Sequence, residues 1–71
     1  MIKLNFRKID KSPVENIYYY KEDETLLVEL KSSLIYMCHD VPFDNIMDIL
    51  KVIESGEDPI STIKKFNPII I

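Results

Sequence analysis

The sequence predicts an α+β domain: an antiparallel β-meander of three to four strands, followed by one longer and one short α-helix packed on one face. Three observations carry this. Apolar and polar residues alternate over residues 2 to 9, the period of a half-buried strand, and Thr25 to Leu30 resumes a strand whose Leu26, Val28 and Leu30 share one face. Ile46, Ile49, Leu50 and Ile53 then recur at helical spacing. Strands precede helices, an order that lays the helices over one side of an antiparallel sheet.

Each element has a local cause. Ile2, Leu4 and Phe6 alternate with Lys3, Asn5 and Arg7, and Asp10-Lys11-Ser12-Pro13 ends that strand, because Pro13 has no backbone donor and restrains Ser12. Asn16 to Tyr20 is rich in β-formers. Lys21-Glu22-Asp23-Glu24 has the length and polarity of a hairpin loop. From Thr25 to Leu30, Leu26, Val28 and Leu30 share one face while Leu27 and Glu29 share the other. Lys31-Ser32-Ser33 reads as a tight turn without glycine, and Leu34 to Cys38 as a further strand. Val41-Pro42 opens the helical half, since proline loses nothing in the first turn of a helix. Asp44 and Asp48 sit toward the positive end of the helix dipole, and Ser55-Gly56 supplies the stop. Gly56, the chain's one glycine, marks a backbone position that needs positive φ. Asp58-Pro59 reads as the cap and first position of a short helix with Ile60, Ile63 and Phe66 on its apolar face; Pro68 ends it.

The 71 residues make one domain, spanning 1–71, with no repeat or linker. A domain of this size buries only about 60 % of its unfolded surface. One cysteine makes no internal disulfide, and one histidine with one cysteine falls short of a structural zinc site. Extra stability is therefore expected from a partner or a second copy. No stretch resembles a signal peptide and no apolar run approaches about 20 residues, so the expectation is a cytoplasmic protein with a free thiol and no membrane association. The net charge of −3 is uneven: residues 1 to 11 carry a local +3, residues 12 to 63 a local −8, and Lys64 and Lys65 add +2. An acidic body disfavours a general phosphate-binding surface.

Cys38-His39-Asp40 holds the residue types of a nucleophile, a base and an orienter. Adjacent strand residues point to opposite faces, however, so His39 cannot serve Cys38, and no second histidine can replace it. Adding Asp44 gives no recognised metal-ligand spacing. Neither catalysis nor a metal is expected, and no cofactor. The tyrosines are the more informative set. Alternation sends Tyr18 and Tyr20 one way and Tyr19 the other, so Tyr19 is expected in the core. Ile69-Ile70-Ile71 would be costly in water, and should pack on the sheet beside the N-terminal strand or enter an interface.

From Ile9 to Lys65 the chain resembles the KTSC domain family, a small domain also found at the C-terminus of some lysyl-tRNA synthetases. Ile9, Ser12, Val14, Ile17 and Tyr19 fall on the family's first block. Leu26, Val28 and Leu30 with Lys31-Ser32 fall on its second; Tyr36, Val41-Pro42, Gly56 and Ile63-Lys64 follow in order. Cys38 stands where the family has a second tyrosine, and Lys64 where it has arginine. The resemblance implies RNA or tRNA binding.

The reading these residues favour is a small non-catalytic binding module. Its partner would be a protein or a second copy of the chain, in the manner of an inhibitor encoded by a phage or mobile element. Tyr18, Tyr20, Tyr36, Glu22, Asp23, Glu24 and Ile70 are its expected surface. The alternative is RNA binding through Lys8, Lys11, Lys64 and Lys65, helped by Lys3 and Arg7.

Overall fold

In the computed structural model, which describes residues 1–71, the sheet has five antiparallel strands in chain order. They are β1 (Ile2–Lys3), β2 (Val14–Tyr20), β3 (Thr25–Leu30), β4 (Ile35–Cys38) and β5 (Ile69–Ile70). Helix α1 (Phe43–Glu54) and the one-turn α2 (Ile60–Ile63) lie between β4 and β5, and a 3₁₀ turn at Lys64–Phe66 leads into β5. The α+β architecture is as the sequence predicts, with one strand more than expected.

The core is the layer between α1, α2 and one face of the sheet. Tyr19, Leu26 and Cys38 lie side by side across β2, β3 and β4, and Ile17 and Val28 form the next row. All five are buried, and Ile46, Ile49 and Ile53 of α1 with Ile63 of α2 meet them. The three α1 isoleucines recur at i, i+3 and i+7, so one stripe of the helix faces the sheet. A bulge between Val14 and Asn16 puts Val14 and Ile17, three residues apart, on the same buried face. The Tyr19 hydroxyl donates to the Val41 carbonyl at 2.7 Å, which ties the sheet to the residue just ahead of α1.

Two expectations are corrected. The first strand does not run over residues 2 to 9; only Ile2 and Lys3 pair with β2. Leu4 donates one more bond, to the Ile17 carbonyl, and the chain then turns toward the end of α1, where the Arg7 amide donates to a Glu54 carboxylate oxygen at 2.8 Å. Leu4 and Phe6 pack on the core outside the ladder. The isoleucine tail does pack on its own sheet, but beside β4, at the edge opposite the N-terminal strand.

Ser12 and Ser33 show how the turns are made. The Val14 amide donates to Ser12 Oγ at 3.2 Å, the local bond a serine before proline offers. Ser33 sits at φ 77°, a left-handed conformation that costs an L-residue with a side chain about 1–2 kcal/mol. Gly56 is at φ 87°, as its place after α1 requires.

Replacing Ser33 by glycine should raise stability by about 1 kcal/mol, by removing the left-handed penalty. Leu26→Ala, at a fully buried position in the central strand, should cost about 2–5 kcal/mol and leave much of the protein unfolded. Urea unfolding followed by circular dichroism measures both; an unchanged midpoint for Leu26→Ala would mean that the core is not where it is described.

Candidate functional site

The sheet has a second face, and no helix covers it. Register places Lys3, Tyr18, Leu27, Met37 and Ile69 in a single row across all five strands. Direct antiparallel partners share a face, so the five side chains stand together. They alternate with the buried row of Tyr19, Leu26 and Cys38 and therefore point away from the helices. A second row runs Asn16, Glu29 and Ile35, extended by Ile71, whose amide donates to the Ile35 carbonyl at 3.0 Å. Tyr20 stands beside Thr25 toward the β2–β3 loop, and its hydroxyl lies 3.4 Å from the Met1 sulfur.

This outer face is mostly apolar. Tyr18, Leu27, Ile35 and Met37 are only half-buried, whereas Ile69 and Ile71 are 51 % and 60 % exposed. An antiparallel sheet with one solvated face ordinarily alternates apolar with polar residues. Here the charged members are Lys3 at one flank and Glu29, whose carboxylate accepts from Asn16 Nδ2 at 2.8 Å.

The expected binding set does not assemble on one face. Tyr18 and Tyr20 belong to the outer face. Tyr36 pairs with Val28 and Ile70, which puts it and Ile70 on the helix side, where Tyr36 packs against the core. Strand phase explains the split: each strand's alternation is local, but which face it presents depends on the turn before it. Glu22, Asp23 and Glu24 form the β2–β3 loop at the end of the molecule near the start of α1; the Val41 amide donates to the Glu24 carbonyl at 2.8 Å, and the Asp23 carboxylate accepts from the Thr25 amide at 3.2 Å. Leu27, Ile35 and Met37, the centre of the apolar face, were not among the expected site residues. Their signal is the lack of alternation in β3 and β4, where outward positions that are ordinarily polar carry apolar residues.

The four lysines of the alternative reading lie elsewhere. Lys8 and Lys11 belong to the connection between β1 and β2, which runs along the end of α1; Lys8 Nζ is 3.6 Å from Glu15 Oε1. Lys64 and Lys65 lie on the 3₁₀ turn that follows α2, with Lys65 Nζ 5.3 Å from the Phe66 ring centre. None stands on the outer strand face that carries Tyr18 and Tyr20.

Cys38 and His39 diverge. The Cys38 side chain is fully buried beside Leu26, and burial holds its thiol above the ordinary range. His39 is exposed, with Nδ1 3.4 Å from Thr25 Oγ1. A nucleophilic cysteine needs an accessible thiolate, and the geometry here supplies the opposite. Tyr19 is also held above the ordinary phenol range, by burial first and then by the Glu24 and Asp23 charges. No three His, Cys, Asp or Glu side chains gather in a way that would hold a metal ion, and no helix is long and apolar enough to cross a membrane.

Comparison of the chain with protein-family models, with curated proteins and with solved structures finds no match.

Cys38 should resist iodoacetamide in the native protein and react quickly in urea, while His39→Ala leaves the native rate unchanged; prompt native alkylation suppressed by His39→Ala would instead show a paired, activated thiol. The raised Cys38 and Tyr19 groups also set a pH dependence. Both hold their protons more tightly folded than unfolded, so the unfolded chain releases them first and alkali favours unfolding. Their contribution is complete near neutrality and is lost as the pH rises past the ordinary thiol and phenol values, about 8.5 and 10. Urea midpoints measured from pH 7 upward should therefore fall on the alkaline side, and Tyr19→Phe should remove the phenol's share of that fall.

Proposed function

We propose that this protein is a non-catalytic protein-interaction module whose binding surface is the outer face of its sheet. The observation that carries this reading is the apolar row Tyr18, Leu27, Met37 and Ile69, left open on a sheet already covered on its other side. Exposed apolar surface of this continuity costs about 25 cal/mol per Å² until something covers it. Tyrosine and methionine suit such a surface, the first as a rigid anchor with a polar tip, the second as an adaptable filler. An inhibitor of the phage or mobile-element type, acting by occlusion, fits a module of this size. The buried thiol and the outward histidine are the reasons for reading no chemistry into Cys38-His39-Asp40.

The RNA-binding role implied by the KTSC resemblance would need aromatic side chains and cations on one surface, so that bases stack while phosphates pair. In this chain Tyr18 and Tyr20 open on the outer face with Lys3 as the one cation of its strands, whereas Lys8 and Lys11 sit on the β1–β2 connection and Lys64 and Lys65 on the 3₁₀ turn after α2. That separation is why protein binding is preferred.

The test is a pull-down with tagged protein from cells that also express an untagged copy, with and without nuclease. Protein retained after nuclease treatment by wild type, and lost with Leu27→Asp, supports the reading. An RNA-rich catch that disappears with nuclease, and that neutralising Lys8, Lys11, Lys64 and Lys65 abolishes, overturns it. Tyr18→Ala with Tyr20→Ala should weaken the protein complex at least tenfold while the far-UV spectrum stays native.

A further inference from the structure

We infer that the chain carries a second docking surface, an acid-rimmed apolar strip between α1 and β1, and that this strip takes a basic amphipathic helix of a protein partner. It lies on the helix side of the sheet, apart from the outer face, and stands or falls independently of the reading given to that face.

The strip follows from where α1 is spent. Its buried stripe, Ile46, Ile49 and Ile53, meets the inner rows of β2, β3 and β4. Ile2 of β1 is the direct partner of the buried Tyr19 and shares its face, yet Ile2 is 50 % exposed. Leu4, two residues on, packs against the core. Beside them runs one flank of α1. Phe43, Met47, Leu50 and Glu54 follow at i, i+4, i+7 and i+11, which is a single line along a helix. The Glu54 carboxylate accepts from the Arg7 amide at 2.8 Å, so that line faces the N-terminal segment. At the other end of the line the Phe43 ring lies 6.0 Å from the ring of Tyr19, the residue opposite Ile2. Phe43 and Met47 are 51 % and 48 % exposed, and Leu50 joins the edge of the core beneath them.

Charge names the occupant. Asp44 and Asp48 directly follow Phe43 and Met47, so an acidic stripe runs alongside the apolar one for two turns. Asp40 immediately precedes Val41, whose carbonyl accepts from the Tyr19 hydroxyl. Asp23 and Glu24 stand near enough to that hydroxyl for their charge to raise it. The molecule has one ion pair, Lys8 with Glu15, so none of these five acids is neutralised. Lys21 on the same loop and Lys51 on the third turn of α1 stay beyond ion-pair distance of them, and Lys3 points to the outer face. A second copy docked on this flank would bring two acidic stripes together, and an anionic lipid surface or a nucleic acid would be repelled. Cations beside an apolar stripe are what the rim favours. Apolar positions at i, i+4 and i+7 are also the spacing with which one helix faces another, and Met47 supplies an adaptable contact. The occupant is therefore a helix whose own apolar stripe is flanked by Lys or Arg, held as an amphipathic helix is held in a groove.

The probe is a fluorescein-labelled peptide of leucine and lysine, about 18 residues long so that it can hold a helix, with leucine at i, i+3, i+4 and i+7. Its controls are the same composition scrambled and the same pattern with glutamate for lysine. Fluorescence anisotropy with the full chain should give a Kd of about 10–100 μM, with neither control bound at about 500 μM. The affinity should fall as salt is raised from about 50 to 300 mM. Met47→Ser, and Asp44→Asn with Asp48→Asn, should each weaken binding roughly fivefold or more, while Leu27→Asp leaves it unchanged. A cooperative urea transition shows that each variant is folded. On the unaltered chain the peptide should shift the amide resonances of Ile2, Leu4 and Phe43 to Leu50, and leave those of Leu27 and Met37 in place. Equal binding of the scrambled peptide would mean attraction by charge alone, and equal binding of the glutamate peptide adhesion by apolar surface alone; either overturns the proposal. Shifts centred on Leu27 and Met37 would move the helix to the outer face and overturn it as well, as would the absence of binding at about 500 μM.

Discussion

One-sided cover is the constraint on which the rest of this structure depends. Sixteen residues of α-helix, twelve in α1 and four in α2, are available to shield a five-stranded sheet. They suffice for one face. Ile46, Ile49 and Ile53 meet the inner rows of β2, β3 and β4, and Tyr19 bonds to Val41 so that α1 starts in place. Every other element is arranged around that seam. The N-terminal connection leaves the ladder early to close its end near Glu54, and the 3₁₀ turn brings β5 back to the exposed side of β4. Nothing in the chain remains for the outer face.

Much of this was legible in residue order. β2, β3, β4 and α1 follow from runs of β-formers between polar turns, from helical spacing and from the breakers Pro13, Pro42 and Gly56. The places where reading failed share a cause: they depend on contacts far along the chain. Leu4 and Phe6 alternate as a strand would, but their burial is won against the core and not in a ladder. Ile69 and Ile70 have no alternation to read, and they become a strand only because β4 has a free edge to pair with. The placement of Tyr36 fails for a subtler reason. Its phase relative to Tyr18 is set by the geometry of the two turns that join β2 to β3 and β3 to β4, which composition does not reveal.

The same dependence separates the two functional readings. Sequence proximity groups tyrosines, acids and lysines by segment, whereas the sheet sorts them by face. Tyr18 and Tyr20 part from Tyr36, and Lys8, Lys11, Lys64 and Lys65 part from the strand positions of the outward tyrosines, which keep only Lys3 beside them. Cys38 and His39, adjacent in the chain, end in opposite environments. A face can be inferred from alternation within one strand; a surface shared by several strands needs the register between them, and that register is a tertiary property.

The tail has a dynamic consequence. β5 consists of two exposed residues, and its pairing with β4 closes a loop that contains the whole helical layer. Such a strand holds few buried contacts and opens at a small fraction of the global unfolding free energy, while β2, β3 and α1 stay folded. Fraying of β5 withdraws Ile69 and Ile71 from the outer row and bares the backbone edge of β4. The width of the apolar face is thus tied to the few hydrogen bonds that hold the last three isoleucines to β4.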